Sequence, residues 1–149
     1  GISRVQSPVY SHLTYDIVRG ESLALEEPDI VIVEGLNVLQ SGSKDANRLF
    51  VSDFFDFSIY IDAEPSDLLR WYVTRFLMLR DTAFRHEGSY FHRYAQLTDD
   101  EAVTLATSIW QEINEPNLFA NILPTRERAD LILHKSTDHT IGRIDLRKI

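Results

Sequence analysis

Apolar residues are arranged in three distinct ways along this chain. Ile30-Val31-Ile32-Val33 is a run of four β-branched residues, opened by Pro28-Asp29 and closed by Glu34-Gly35. Such a run predicts a strand buried on both faces, as in a parallel sheet. Phe57 to Ile61 is a second β-prone run with Asp62 at its carboxyl end, and Ala129 to Leu133 is a third. Ile141 to Leu146 alternates and predicts a terminal edge strand. Near the start, Val5 to Val18 mixes β-formers with polar groups around Pro8. It predicts two short extended pieces, near Ser7–Tyr10 and Thr14–Val18.

Helical spacing governs the rest. Leu68, Trp71, Tyr72, Arg75, Phe76 and Leu79 recur on one face and predict a helix from about Ser66 to Arg80. Thr98 followed three residues later by Glu101 reads as a capping box, with a helix running on to about Ile113. Pro116 is expected to interrupt it, leaving a short helix over Asn117–Ile122, and Pro124-Thr125-Arg126 marks a turn. Ser41 to Asn47 is polar and reads as a loop. Strands alternating with helices imply an α/β fold with a largely parallel sheet. The strands are few, so the fold is expected to be incomplete in this chain.

Composition narrows the function classes. The chain has 149 residues, a formal net charge of -8 and 44% hydrophobic residues. An acidic balance argues against a nucleic-acid or membrane-surface partner. The absence of cysteine excludes disulfides and thiolate metal sites. No apolar run approaches the ~20 residues of a membrane-spanning helix. Gly1 stands where an initiator Met would, so the sequence is expected to be cut from something longer.

Several groups of residues could carry chemistry. Glu34 ends the first apolar run, where ligands bind in open α/β sheets. There it could hold Mg²⁺ through water or orient a substrate hydroxyl, or simply close a buried strand. Tyr10, His12 and Tyr15 offer polar tips on apolar bodies, suited to a small polar ligand or to ordinary packing. Arg75 lies four residues after Trp71 and three after Tyr72, a good anion clamp or an arginine reaching from a core helix to solvent. Phe84, Tyr90, Phe91 and Tyr94 could line an apolar pocket or fill a core. Arg126 and Arg128 suit a nucleotide phosphate or a solvated turn. His139 sits in a polar loop. The sequence contains no G-x-x-x-x-G-K-[ST], no G-x-G-x-x-G, no H-E-x-x-H and no G-x-S-x-G.

Six blocks together resemble type I, bacterial pantothenate kinase. They are PVYSHLTYD at Pro8–Asp16, PDIVIVEGLNVLQSG at Pro28–Gly42, VSDFFDFSIYIDA at Val51–Ala63, WYVTRFLMLRDTAF at Trp71–Phe84, SYFHRYA at Ser89–Ala95 and NILPTRERADLIL at Asn121–Leu133. The resemblance implies a P-loop kinase fold, with all of 1–149 belonging to the C-terminal, acceptor-substrate half of one kinase domain. It implies transfer of phosphate from ATP, with Mg²⁺, to pantothenate. It further implies feedback inhibition by coenzyme A, a homodimer and a cytoplasmic setting. By the matching motifs, Tyr10, His12, Tyr15, Tyr72 and Asn114 resemble the family's pantothenate-binding residues. Arg75 and Glu34 stand at the catalytic positions. Phe76, Phe84, Tyr90 and Tyr94 resemble the aromatic wall for the coenzyme A arm, and His139 the residue near adenine. No metal-ligand set is carried over.

The departures weigh as much. The family's phosphate-binding loop with its lysine, and the aspartate that acts as base, lie upstream of the matched blocks. The 149-residue chain alone is therefore expected to be inactive as a kinase. Two alternatives stay open: a non-catalytic module that binds pantothenate or coenzyme A, and a related P-loop kinase for a nucleoside or sugar.

Overall fold

A computed structural model describes residues 4–41 and 49–148. Except for Ser41, the loop expected over Ser41–Asn47 lies outside the described residues. The chain divides into two compact units, Gly1–Ile32 with Thr74–Thr104 and Val33–Val73 with Leu105–Ile149.

The first unit opens with an antiparallel hairpin, β1 (Arg4–Ser11) and β2 (Asp16–Glu26). The register runs from Arg4 opposite Glu26 to Ser11 opposite Asp16, with a shift between Pro8 and Tyr10. Pro8 has no N–H for the ladder, and an irregularity beside it is where a sheet tolerates proline. The two short pieces expected here are thus one long hairpin. Its second strand continues to Glu26 because Ser22, Leu23, Ala24 and Leu25 find partners on β1.

Ile30–Val33 departs from expectation. It is not a strand, and Ile30 and Ile32 are 81% and 88% exposed. A parallel strand exists only through the neighbours that accept its N–H and C=O groups. Among the described residues no segment pairs with this one. Four β-branched side chains record a preference that the chain itself does not satisfy.

Helix α1 (Pro65–Asp81) matches its periodicity closely and runs through both units. Helix α2 (Asp99–Ile109) begins with the expected box. The Glu101 N–H donates to Thr98 Oγ1 at 3.4 Å, and the Thr98 N–H donates to Glu101 Oε2 at 2.9 Å. These bonds from Thr98 backbone and hydroxyl hold the Glu101 carboxyl below its ordinary range.

Beyond Ile109 the helix does not break at Pro116, contrary to expectation. It widens into π-helical turns at Trp110–Asn114 and Leu118–Ile122, separated by a short α turn at Glu115–Asn117. Proline cannot donate to the carbonyl four residues back and collides with it. A wider turn removes the collision while its neighbours keep bonding: the Glu115 N–H reaches the Trp110 carbonyl and the Leu123 N–H reaches that of Leu118.

The second unit holds a three-stranded mixed sheet, ordered β3 (Ile59–Asp62), β4 (Leu131–Lys135), β5 (Ile141–Leu146). β3 and β4 are parallel, with Ile59 opposite Leu131 and Asp62 opposite His134. β5 is antiparallel to β4. Leu39, Tyr60 and Ala129 form the buried centre, with Val38, Phe55, Ile122 and Ile132 packed on it. Leu39→Ala is expected to cost about 2–4 kcal/mol in thermal or denaturant unfolding, since Leu39 is 7% exposed.

Polar bonds fix the parallel register. The Ser58 N–H and hydroxyl both donate to Asp130 Oδ2, at 2.8 and 2.6 Å, just before β3 and β4 begin. Those bonds hold the Asp130 carboxyl below its ordinary range. A carboxylate depressed on folding contributes stability that is complete above its unfolded value and fades as pH falls through the folded one. Asp130→Asn should therefore lower the melting temperature at neutral pH and flatten its decline in acid. An unchanged acid limb would contradict this.

Candidate functional site

The tip of the hairpin in the first unit brings three predicted residues together. Tyr10 lies one residue before the end of β1, and Tyr15 takes a left-handed conformation, φ 56°, just before β2. That conformation is uncommon for a bulky side chain and marks a site held by its surroundings. The Thr14 N–H donates to Ser11 Oγ at 3.2 Å and tightens the turn. The Tyr10 ring meets His12 edge-on at 5.2 Å and Tyr15 at 6.1 Å. Partial desolvation, then Tyr15 and Asp16, raise the Tyr10 phenol above its ordinary value.

A second set of rings comes from α1 and the segment after it. Phe76 on α1 lies 5.6 Å from Phe84 and 5.8 Å from Tyr94. Tyr90 stacks on Tyr15 at 5.5 Å, and the Tyr90 N–H donates to the Leu13 carbonyl at 2.9 Å. Phe91 joins the two sets, touching Tyr15 at 5.0 Å, Phe84 at 5.2 Å and Tyr94 at 6.2 Å. Arg93 caps the cluster, 4.8 Å over the Tyr94 ring and 5.5 Å over Tyr90. Phe76 and Phe84 are buried, whereas Tyr10, Tyr15 and Tyr90 present half their surface to solvent. The result is an apolar wall with phenol and imidazole tips, suited to a small ligand with hydroxyl and amide groups. Arg75 is exposed and makes no ion pair among the described residues, so its charge is available.

The second unit holds the other predicted residues. His139 has a positive φ of 70° and stacks on Trp71 at 4.4 Å, with Lys135 Nζ 4.8 Å over the same indole. Trp71 Nε1 donates to the Thr137 carbonyl at 3.2 Å, and Thr137 Oγ1 donates to Asp67, which fixes the loop to α1. Tyr72 lies 5.7 Å from Trp110, ring to ring. Asn114 is half-buried at the end of the first π turn. Glu34 is exposed and follows irregular chain in place of the expected strand, so no strand end positions it.

Arg126 and Arg128 have partners within the unit. Arg126 Nε is 3.3 Å from Asp62 Oδ2, while Arg128 donates to the Leu39 carbonyl at 2.8 Å and to Ser52 Oγ at 3.2 Å. Neither is the solvated turn residue considered as the plain alternative. His134 stands between two carboxylates, 3.2 Å from Asp62 Oδ2 and 2.8 Å from Asp145 Oδ2. Asp145 is held below its ordinary range, first by Arg143 and then by His134.

A family model described as the phosphoribulokinase / uridine kinase family matches residues 2–141. The chain belongs to this family. Its α/β architecture is thereby that of the P-loop kinases. Similar proteins include a pantothenate kinase of Afipia carboxidovorans, 58% identical over 97% of this chain and 46% of its own length. Another is a pantothenate kinase of Myxococcus xanthus, 55% identical over the whole chain and 48% of its own length. One of Corynebacterium efficiens is 54% identical, over the whole chain and 44% of its own length. The chain thus spans just under half the length of these relatives. Among the described residues no helix is long and apolar enough to cross a membrane.

The sequence reading named Phe91 and Trp71 but not Arg93, and did not show what any of the three touches. Phe91 sits in the Ser89–Ala95 block, but spacing alone cannot say which of four rings is the hub. Arg93 carried a signal, a cation next to Tyr94 and three residues after Tyr90. Trp71 was placed with Arg75, four residues on, yet its ring meets His139 from a segment 68 positions later in sequence.

Proposed function

We propose that this chain is the acceptor-substrate half of a pantothenate kinase, which phosphorylates pantothenate to 4′-phosphopantothenate at the expense of ATP. The observation that carries the reading is the convergence of Tyr10, His12 and Tyr15 with Tyr90 and Phe91 in one cluster. These residues come from distant parts of the sequence; Tyr10, His12 and Tyr15 resemble the family's acceptor pocket and Tyr90 its aromatic wall. Relatives carrying the pantothenate kinase name match the chain end to end, which supports the same acceptor.

Pantothenate carries hydroxyls, an amide and a carboxylate on a branched apolar skeleton. The ring faces would take the skeleton, and the Tyr10, His12 and Tyr15 tips its polar groups. Tyr72 and Asn114, in the second unit, are assigned to pantothenate by resemblance to the family alone. ATP supplies the γ-phosphoryl group, and Mg²⁺ would neutralise its charge. Among the described residues no group of three or more His, Asp or Glu side chains is placed to hold a metal ion. Catalysis of phosphoryl transfer is mainly positioning and charge stabilisation. Arg75 is the cation for charge developing on the transferred phosphoryl oxygens, whereas the catalytic role of Glu34 rests on resemblance to the family alone. His139, stacked on Trp71, is suited to an adenine ring. Coenzyme A shares the pantetheine portion of the product, so Phe76, Phe84, Tyr90 and Tyr94 would take its arm in feedback inhibition. A cytoplasmic homodimer completes the proposal.

The test is calorimetric titration of the full-length protein containing this segment with pantothenate. Tyr15→Ala should weaken binding about tenfold, as expected for losing one aromatic ring contact and its polar tip. Equal affinity of the variant and the parent would overturn the pocket assignment.

A further inference from the structure

Arg80, near the C-terminus of α1, is only 7% exposed. Arginine is almost never buried unless paired, so its partners show what it is for. Nη2 lies 2.7 Å from Asp99 Oδ1 and 2.9 Å from Asp81 Oδ1. Nε donates to the same Asp81 oxygen at 3.0 Å, and Nη1 donates to the Leu97 carbonyl at 3.2 Å. The planar guanidinium fork thus spans three points: the end of α1, the residue before the Thr98 cap, and the first residue of α2. All of them lie in the first unit.

The segment enclosed by those points, residues 82–98, carries Phe84, Tyr90, Phe91 and Tyr94. It has no strand or long helix of its own, only short 3-10 turns at Ala83–Arg85 and His92–Tyr94. Outside the Arg80 fork, the Thr82 hydroxyl donates to the Met78 carbonyl at 2.7 Å, exposed Arg85 lies 3.6 Å from Asp81, and the Tyr90 N–H donates to the Leu13 carbonyl, while His92 Nδ1 bonds the Phe84 carbonyl within the segment at 3.0 Å. Ring contacts alone would not fix its ends, because ring faces slide at little cost. The guanidinium closes the segment at its base, where a small displacement is amplified at the tip.

We propose that Arg80 is a positioning residue for the acceptor pocket, a clasp that holds the 82–98 segment so that its rings meet the hairpin tip. It touches no ligand and acts through Phe84, Tyr90, Phe91 and Tyr94. The proposal rests on the pocket reading above for its functional consequence, and on geometry alone for its structural one. Lysine keeps the charge but has no fork, so Arg80→Lys does not restore the clasp.

The test uses the full-length protein with Arg80→Gln, Arg80→Lys and the milder Asp99→Ala, which removes one exposed partner and leaves the other bonds. Amide hydrogen exchange over residues 83–97 should accelerate about tenfold or more in both Arg80 variants, with exchange over 66–73 unchanged. KM for pantothenate and the inhibition constant for coenzyme A should rise about tenfold, while kcat stays within about twofold of the parent. Asp99→Ala should shift the same quantities in the same direction by less. Unchanged exchange over 83–97 in all three variants overturns the clasp. So does a fall in kcat with KM unaltered, or full rescue by lysine. If the parent shows no turnover dependent on pantothenate, the acceptor reading fails, and the exchange experiment still decides the clasp.

Discussion

Arg75→Gln in the full-length protein should lower kcat by about 10²–10³-fold, with little change in KM for pantothenate. Two features of the structure set that expectation. Arg75 lies on α1, one residue before buried Phe76, so its backbone is held by a helix that packs on its apolar face. Its side chain is exposed and makes no ion pair among the described residues, unlike Arg80, Arg126 and Arg128, which are tied to carboxylates or carbonyls. A charge kept free of structural duty is available to a transferred phosphoryl group. For the same reason the substitution should leave the melting temperature nearly unchanged. Steady-state kinetics beside thermal unfolding separates the two readings of this arginine. A loss of kcat below about threefold would mean that Arg75 only covers the helix surface.

The 149-residue polypeptide by itself should turn over no ATP with pantothenate, and it should associate. Its sequence has no G-x-x-x-x-G-K-[ST], whose backbone N–H groups and lysine hold ATP phosphates in P-loop kinases. Association follows from what the chain leaves exposed. Ile30, Val31, Ile32 and Val33 form an exposed apolar stretch that pairs with no strand among the described residues, and β3 is an edge strand of its sheet among those residues, with Ile59 and Ile61 exposed. Exposed, uncharged β-branched segments of this kind pair with other chains. Light scattering at micromolar concentration should show oligomers. Replacing Ile30 and Ile32 with lysine should shift the distribution towards monomer, because charge on an edge opposes pairing. A sharply monomeric, thermally robust parent polypeptide would contradict the account.

Elements whose stability is local were legible in the sequence. α1 and the Thr98 box depend on neighbours three and four residues away, and β5 has the bounds its alternation predicts. Elements that depend on partners were not. Ile30–Val33 has stronger β character than β3, yet only β3 finds a ladder, on β4. Pro116 was read as a break, but a packed helix can widen around a proline, a choice set by tertiary packing on Trp110 and Leu118 rather than by the proline itself. Residue type and helical spacing singled out most of the candidate residues, but only the family resemblance gave them roles in a pocket. The structure adds which rings touch within one unit, with Phe91 at the centre, and adds the Arg80 clasp, whose bonds to Leu97 and Asp99 cross seventeen and nineteen positions.

The central claim is the identity of the acceptor. ADP release by the full-length protein, with ATP and Mg²⁺ present, should depend on added pantothenate and show no response to uridine. Release driven by uridine instead, or none with pantothenate from a folded protein, would contradict the account and withdraw the pocket roles assigned to Tyr10, His12 and Tyr15.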